Sequence, residues 1–230
     1  MFQKIREAVT VAYQDRRKRR LAIRWASILL VIGGAAGLLN EYWPMIAGDA
    51  IVGNMQSDKA HSFHFDAPQG QNAKYPINPQ KEGEVFARMT VPRFGKSWAR
   101  LIGQGTRWHP TLNEIGVGHF RGSALPGGVG NFAVAAHRGG FGGTFHDIDK
   151  LGPGDKVYVE TRDAIYTYVY MQTKVVKPSD IGVVAPVPAE LIGAVKGGHY
   201  MTMTSCFPIW VNTHRIVVWL SLGGVEYKHR

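Results

Sequence analysis

The chain carries a single cysteine, Cys206, and nine residues later an arginine, Arg215. Cys206 closes a β-branched and aromatic run at 199–205, and Arg215 opens another at 215–222, with 207–214 between them. If the two runs pair as an antiparallel hairpin, Cys206 and Arg215 stand opposite each other, their Cα atoms roughly 5 Å apart. A cation in that position lowers a thiol pKa or stabilises an anion forming beside it. A lone cysteine is by default a small buried hydrophobe, and it can form no intramolecular disulfide. The arginine opposite is what points to chemistry. The third candidate is His137, which follows the apolar run 131–136 and opens a glycine-rich stretch at 138–143. A histidine at a strand end, before a loop, suits proton transfer. Taken alone, a packing role fits it equally well.

These side chains need a scaffold, and the pattern around them is strand-like. Runs at 84–91, 131–136, 156–160, 164–176, 199–205 and 215–222 are rich in Val, Ile, Thr and aromatic residues. Turns such as Gly152-Pro153-Gly154-Asp155 separate them, which favours an antiparallel barrel or sandwich. Short helical turns are expected near 110–115, 144–151 and 188–195. The glycine loop 139–143 lacks the Lys-Ser/Thr ending and following helix of a phosphate-binding loop, so a mobile loop is preferred.

The N-terminal quarter has a different texture. Residues 1–24 hold eight Lys/Arg against Glu7 and Asp15, leaving +4 of the formal +10 charge to the other 206 residues. A nucleic-acid binder would place its basic stripe on the folded domain, so nucleic acid is not expected as a partner. The apolar run 25–39 follows, then Asn40, Glu41 and the interfacial aromatics Tyr42 and Trp43. The expected organisation is a basic cytoplasmic tail at 1–24, a transmembrane anchor at 25–47, an extracellular linker at 48–83 and a catalytic domain at 84–230. Basic residues on one flank only put the N-terminus in the cytoplasm, in a single-pass arrangement. A cleaved signal peptide is the rival, though no small-x-small site closes the apolar run. His61 and His64 in the polar linker have no further ligands beside them, so no metal site is expected.

With these motifs in order, the chain resembles the sortases, and among them the class E group of high-GC Gram-positive bacteria. The resemblance rests on Thr202-Met203-Thr204-Ser205-Cys206 with Arg215 beyond it, and on Asn131-Phe132-Ala133-Val134-Ala135-Ala136-His137-Arg138. Further text of the same kind is Val91-Pro92-Arg93-Phe94-Gly95, Gly116-Val117-Gly118-His119-Phe120, and residues 145–155. It covers about 84–222. Met203 and Ser205 depart mildly from the usual Thr-Leu-x-Thr-Cys, and Phe141 stands where class E members often have Tyr. The resemblance implies a mostly β fold, a closed eight-stranded barrel with short helices. It also implies a thiol transpeptidase with Cys206 as nucleophile, His137 as proton partner and Arg215 holding the oxyanion or the substrate backbone. Thr204, Ser205 and Phe141 are the expected substrate contacts, and no cofactor or metal is implied.

The implied partners are secreted proteins with C-terminal Leu-Ala-x-Thr-Gly or Leu-Pro-x-Thr-Gly sorting signals. The implied acceptor is an amine of a peptidoglycan precursor or of a pilin. His119 and His146 are expected to pack or to sit at the surface, and Arg138 to be solvated. Two other classes remain in view. An L,D-transpeptidase would need a Ser-x-Gly-Cys setting, which residues 204–206 do not provide. A non-catalytic wall-binding β-domain would more naturally have lost one of His137, Cys206 and Arg215.

Overall fold

The computed structural model describes residues 2–65, 79 and 81–228, and its chain divides into two compact units, Met1–Ile46 and Ala47–Arg230. One helix, α1 (Phe2–Ser62), contributes to both. In the first unit, Arg16–Leu39 is long and apolar enough to cross a membrane, and none of it is buried. Leu29, Leu30 and Val31 are largely exposed, a state such side chains adopt when lipid is their solvent.

The second unit is a closed barrel of eight strands. In chain order they are β1 (Val85–Thr90), β2 (Ala99–Gln104), β3 (Gly116–His119), β4 (Gly130–Ala135), β5 (Lys156–Glu160), β6 (Ala164–Val176), β7 (His199–Phe207) and β8 (His214–Tyr227). Around the barrel they run β1-β2-β3-β4-β7-β8-β6-β5, closing through β5 to β1. Most neighbours are antiparallel, but β2–β3 and β4–β7 are parallel. The expected closed barrel is thus mainly antiparallel, with two parallel pairs within it. Each parallel pair is joined by a long crossover rather than a tight turn.

The interior is filled by alternate side chains of the strands, among them Phe86, Met89, Phe132, Val159, Met201 and Leu220. On β8 the run Ile216–Val217–Val218–Trp219–Leu220 is buried throughout. Ile216, Val218 and Leu220 point inward, while Val217 and Trp219 join Val176, Val183, Leu191 and Tyr200 in an outer cluster. The β6–β7 connection covers that outer face. It is tied down where Trp219 Nε1–H and Thr202 Oγ–H donate to the Val183 carbonyl, at 3.1 and 3.2 Å. Asn131 Nδ2 adds a bond to the Ala185 carbonyl at 3.0 Å.

β2 is likewise buried on both faces. Its outer face, Ala99 and Leu101, packs with Ile115 and with Ala60 of α1. The linker expected over 48–83 is therefore corrected over 48–62, where the chain is helical. Gln56 and Ala60 there are almost fully buried, Ser57 Oγ donates to the Ser97 carbonyl at 3.0 Å, and Arg88 Nη1 donates to the Ala60 carbonyl at 3.0 Å. The segment docks through small and hydrogen-bonding side chains, which leave no apolar periodicity to read. Of the remainder of that expected linker, 66–78 and 80 lie outside the described residues. The helical turns form at Pro92–Phe94, Trp108–Ile115, Ile148–Lys150 and Ile181–Val184. The turn expected near 188–195 has no helix. Pro188 opens it and Gly193 takes a left-handed φ of 79° within it.

Candidate active site

The hairpin of β7 and β8 pairs Cys206 with Arg215 directly. β7 extends one residue past Cys206, and Phe207 pairs with His214. The thiol therefore stands on a paired strand rather than in the loop. On its other side β7 runs parallel to β4, with Ala135 beside Thr204. The Ala136 amide donates to the Thr204 carbonyl at 3.3 Å, and Ser205 Oγ donates to the Ala136 carbonyl at 2.7 Å. These bonds carry the β4–β7 register up to His137 and Cys206. His137, Cys206 and Arg215 all line one cavity of about 670 Å³.

Each of the expected contact residues lines the same cavity. Thr204 and Ser205 are nearly buried, and the Ser205 hydroxyl is spent on the Ala136 carbonyl. Phe141 is half exposed and lies against the His137 ring, with centroids 5.2 Å apart. Trp108 meets the same ring edge-on at 5.9 Å. Ile181, Val183 and Val184, with Leu112 and Val176, give the cavity an apolar wall. Arg215 Nη1 donates to the carbonyls of Asn212 and His214 at 3.1 and 2.8 Å. That fixes one corner of the guanidinium, and its other N–H groups meet no protein acceptor among the described residues.

The setting of His137 was not legible in the sequence. Its Nε2–H donates to Asn113 Oδ1 at 2.9 Å. Asn113 Nδ2 in turn donates to His109 Nε2 at 3.0 Å, and His109 Nδ1 meets Glu114 Oε1 at 3.1 Å. Glu114 Oε1 accepts from His109 Nδ1–H, so His109 Nε2 is left to accept from Asn113 Nδ2 and Asn113 Oδ1 to accept from His137, which leaves Nδ1 as the ring nitrogen of His137 available for proton exchange. Burial holds the His137 pKa below the ordinary histidine value, opposed by the negative charge of Asp49. The imidazole is thus mainly neutral at pH 7.

Arg138 corrects its expectation. It is almost fully buried, not solvated, because its guanidinium lies over the Phe207 ring at 5.2 Å and pairs with Asp149 at 2.8 Å. It braces Phe207 at the end of β7. His119 is buried in the barrel, with ring nitrogens on Gln104 Oε1 at 2.6 Å and the Ala124 carbonyl at 3.0 Å. His146 is at the surface, paired with Asp147. His61 meets the Ser97 carbonyl at 2.9 Å, and no group of three or more His, Cys, Asp or Glu suited to a metal occurs among the described residues.

A neutral imidazole, a thiol and a guanidinium along an apolar-walled cleft can support attack on a peptide carbonyl. A family model described as Sortase domain matches residues 89–222. Sortase SrtE2 of Streptomyces coelicolor is 42% identical over 98 residues, which are 42% of this chain and 38% of that protein. The structure of sortase E from Streptomyces avermitilis is 36% identical, with a TM-score of 0.59, covering 64% of this chain and 93% of that one. The crystal structure of Sortase E1 from Streptomyces coelicolor, with a tripeptide in the active site, is 30% identical, with a TM-score of 0.60 over 63% and 91%. The chain spans less than half the length of the curated relatives it matches. With the family model matching more than half of its residues and these class E neighbours beside it, the chain belongs to the sortase family and is class E-like.

Proposed function

We propose that the chain is a membrane-anchored cysteine transpeptidase that cleaves a C-terminal sorting signal and joins the released acyl group to an amine. The reading is supported above all by the shared register of β4, β7 and β8, from which His137, Cys206 and Arg215 reach one cavity. The substrate is a Leu-Ala-x-Thr-Gly or Leu-Pro-x-Thr-Gly segment of a secreted protein. The acceptor is an amine of a peptidoglycan precursor or a pilin. The tripeptide in the active site of the related sortase E1 supports a peptide as the occupant of this cleft.

In the first step Cys206 Sγ attacks the Thr carbonyl carbon, and its proton passes to the neutral His137. The carbonyl oxygen becomes an oxyanion, which the unpaired N–H groups of Arg215 receive. Collapse breaks the Thr–Gly C–N bond. The proton on His137 goes to the leaving glycine amine, and a thioester to Cys206 remains. In the second step the acceptor amine attacks that thioester while His137 takes its proton. The C–S bond breaks, the proton returns to sulfur, and a new amide is released. Water in place of the amine gives hydrolysis. The apolar wall of Leu112, Val176, Ile181, Val183 and Val184 suits the leucine of the signal. Thr204, Ser205 and Phe141 shape the cleft about the threonine. The candidate span Arg16–Leu39 serves as the anchor, with the basic tail cytoplasmic and the barrel outside.

The test uses the full chain in detergent with both signal peptides and an amine acceptor, wild type beside Cys206→Ala, with products read by mass spectrometry. The expected product joins Thr to the acceptor in wild type and is absent in Cys206→Ala. Cleavage that persists without the thiol, or a folded wild type that turns over neither peptide, would overturn the reading.

A further inference from the structure

We infer that Asp49, on α1, is a positioning residue for His137, holding the glycine-rich loop and its Phe141 against the imidazole. The inference rests on the transpeptidase reading of the site. Its basis is a clamp of several contacts from one helical face. Each oxygen of the Asp49 carboxylate accepts one loop amide: Oδ2 from Gly140 at 2.8 Å and Oδ1 from Gly142 at 3.1 Å. One turn on, Gly53 lies against Gly142, where an added Cβ would stand 3.1 Å from its carbonyl oxygen. A further turn on, Gln56 Nε2 donates to the carbonyls of Phe141 at 3.4 Å and Asn113 at 3.2 Å, and its Oε1 accepts from Thr144 Oγ1 at 3.1 Å. Positions i, i+4 and i+7 share one face of a helix, so α1 presents all three groups together.

What the clamp holds are two of the groups that touch His137. Phe141 packs on the ring, and Asn113 holds Nε2–H. Within the loop the Gly143 amide closes a turn on the Gly140 carbonyl at 3.0 Å, and Trp108 lies against Phe141. Gly140, Phe141, Gly142 and Gly143 all have positive φ, a conformation that costs free energy at the non-glycine Phe141 and is kept only where surroundings impose it. Two bonds to a carboxylate supply that restraint. Asp49 is also the charge that opposes the effect of burial on His137. The charged or titratable groups that line the cavity with His137 are Cys206 on β7, Arg215 on β8, Arg138 after β4, and Lys177 and Asp180 in the β6–β7 connection. Asp49 touches no substrate in this scheme. It acts through the loop and the imidazole.

The test compares the full wild-type chain with Asp49→Asn and Asp49→Ala. Asn retains one acceptor oxygen and loses the charge, while Ala loses both. In Asp49→Ala kcat is expected to fall on the order of 10²-fold with KM little changed, as misplacement of a catalytic group does, and in Asp49→Asn by less. In both variants the acid limb of kcat/KM moves to lower pH. The His137 ring titration, followed by NMR in 15N-histidine-labelled chain without substrate, moves the same way. That readout needs no turnover, so it separates this inference from the transpeptidase reading. A titration unmoved in both variants overturns the inference. So does a kcat loss matched by a fall in melting temperature with the acid limb in place, since that marks a merely structural carboxylate.

Discussion

His137 has one nitrogen committed and one available, and the commitment is made by a neutral side chain. Asn113 Oδ1 accepts the Nε2–H at 2.9 Å without adding charge, so burial keeps the ring below its ordinary pKa. A carboxylate in that place would favour the imidazolium and raise the pKa. The wild-type acid limb of kcat/KM is therefore expected below about pH 6.5, the unperturbed histidine value. Asn113→Asp should move it upward. Asn113→Ala should leave the ring free to turn and lower kcat on the order of 10-fold or more, as loss of an orienting partner does. Peptide-cleavage rates across pH for the three chains check both expectations. An Asn113→Asp limb that coincides with wild type would count against Asn113 as the residue holding Nε2. Neither Asn113 nor Asp49 could be read from the sequence, because each reaches His137 only through the fold. The Cys206–Arg215 pairing could, because a hairpin makes it by connectivity.

At the scale of elements, the strands that were legible are those whose side chains differ from their surroundings. β5 and β6 fall where the sequence puts them, and β1, β4, β7 and β8 differ only at their ends. β2 and β3 were missed for two different reasons. β2, Ala-Arg-Leu-Ile-Gly-Gln, is buried on both faces and shows no alternation. β3 is four residues long with two glycines, too short and too poor in β-formers to stand out. The docked segment of α1 hid for a related reason, since Asp49, Gly53, Gln56, Ser57 and Ala60 make an interface of small and polar groups. Gly53 is a tight point of that interface, with Gly142 O and Arg100 Nη2 at 3.1 and 3.2 Å from an added Cβ. Gly142 is placed as tightly on its side of the contact, because its own φ is +89° and a Cβ added to it would stand 2.9 Å from Gln56 Oε1 and 3.0 Å from the Gly53 amide nitrogen. Gly53→Val should therefore part the helix from the loop. Hydrogen exchange should show Gly140 and Gly142 amides losing protection while those of β7 and β8 keep theirs. Unchanged protection at both glycines would mean that the helix does not hold the loop.

For the molecule as a whole, the closed barrel leaves its strands no free edge and buries a histidine in its wall. His119 ends β3 with its ring against Phe86 and Phe132, at 5.5 and 5.3 Å. Burial pulls its pKa down to about 4, opposed by the Ala124 carbonyl. Between pH 6.5 and about 4 the unfolded chain binds a proton here that the folded chain refuses. Stability must then fall as pH falls through that window. A shift of this size corresponds to about 3 kcal/mol, present above pH 6.5 and lost by about pH 4. His137, also held low, adds a contribution of the same sign. The carboxylates of Glu82, Asp147, Asp155 and Glu160 are lowered by their partners and lose their share only as pH drops further. The upper part of the acid limb therefore belongs to histidines. His119→Gln keeps a polar side chain beside Gln104 and Ser123 but cannot take up the proton. Urea unfolding of both chains from pH 7 to 4.5 should show a markedly shallower loss of stability in the variant. An equal slope in the two would place the proton uptake at another group, and His119 would then be a packing residue alone.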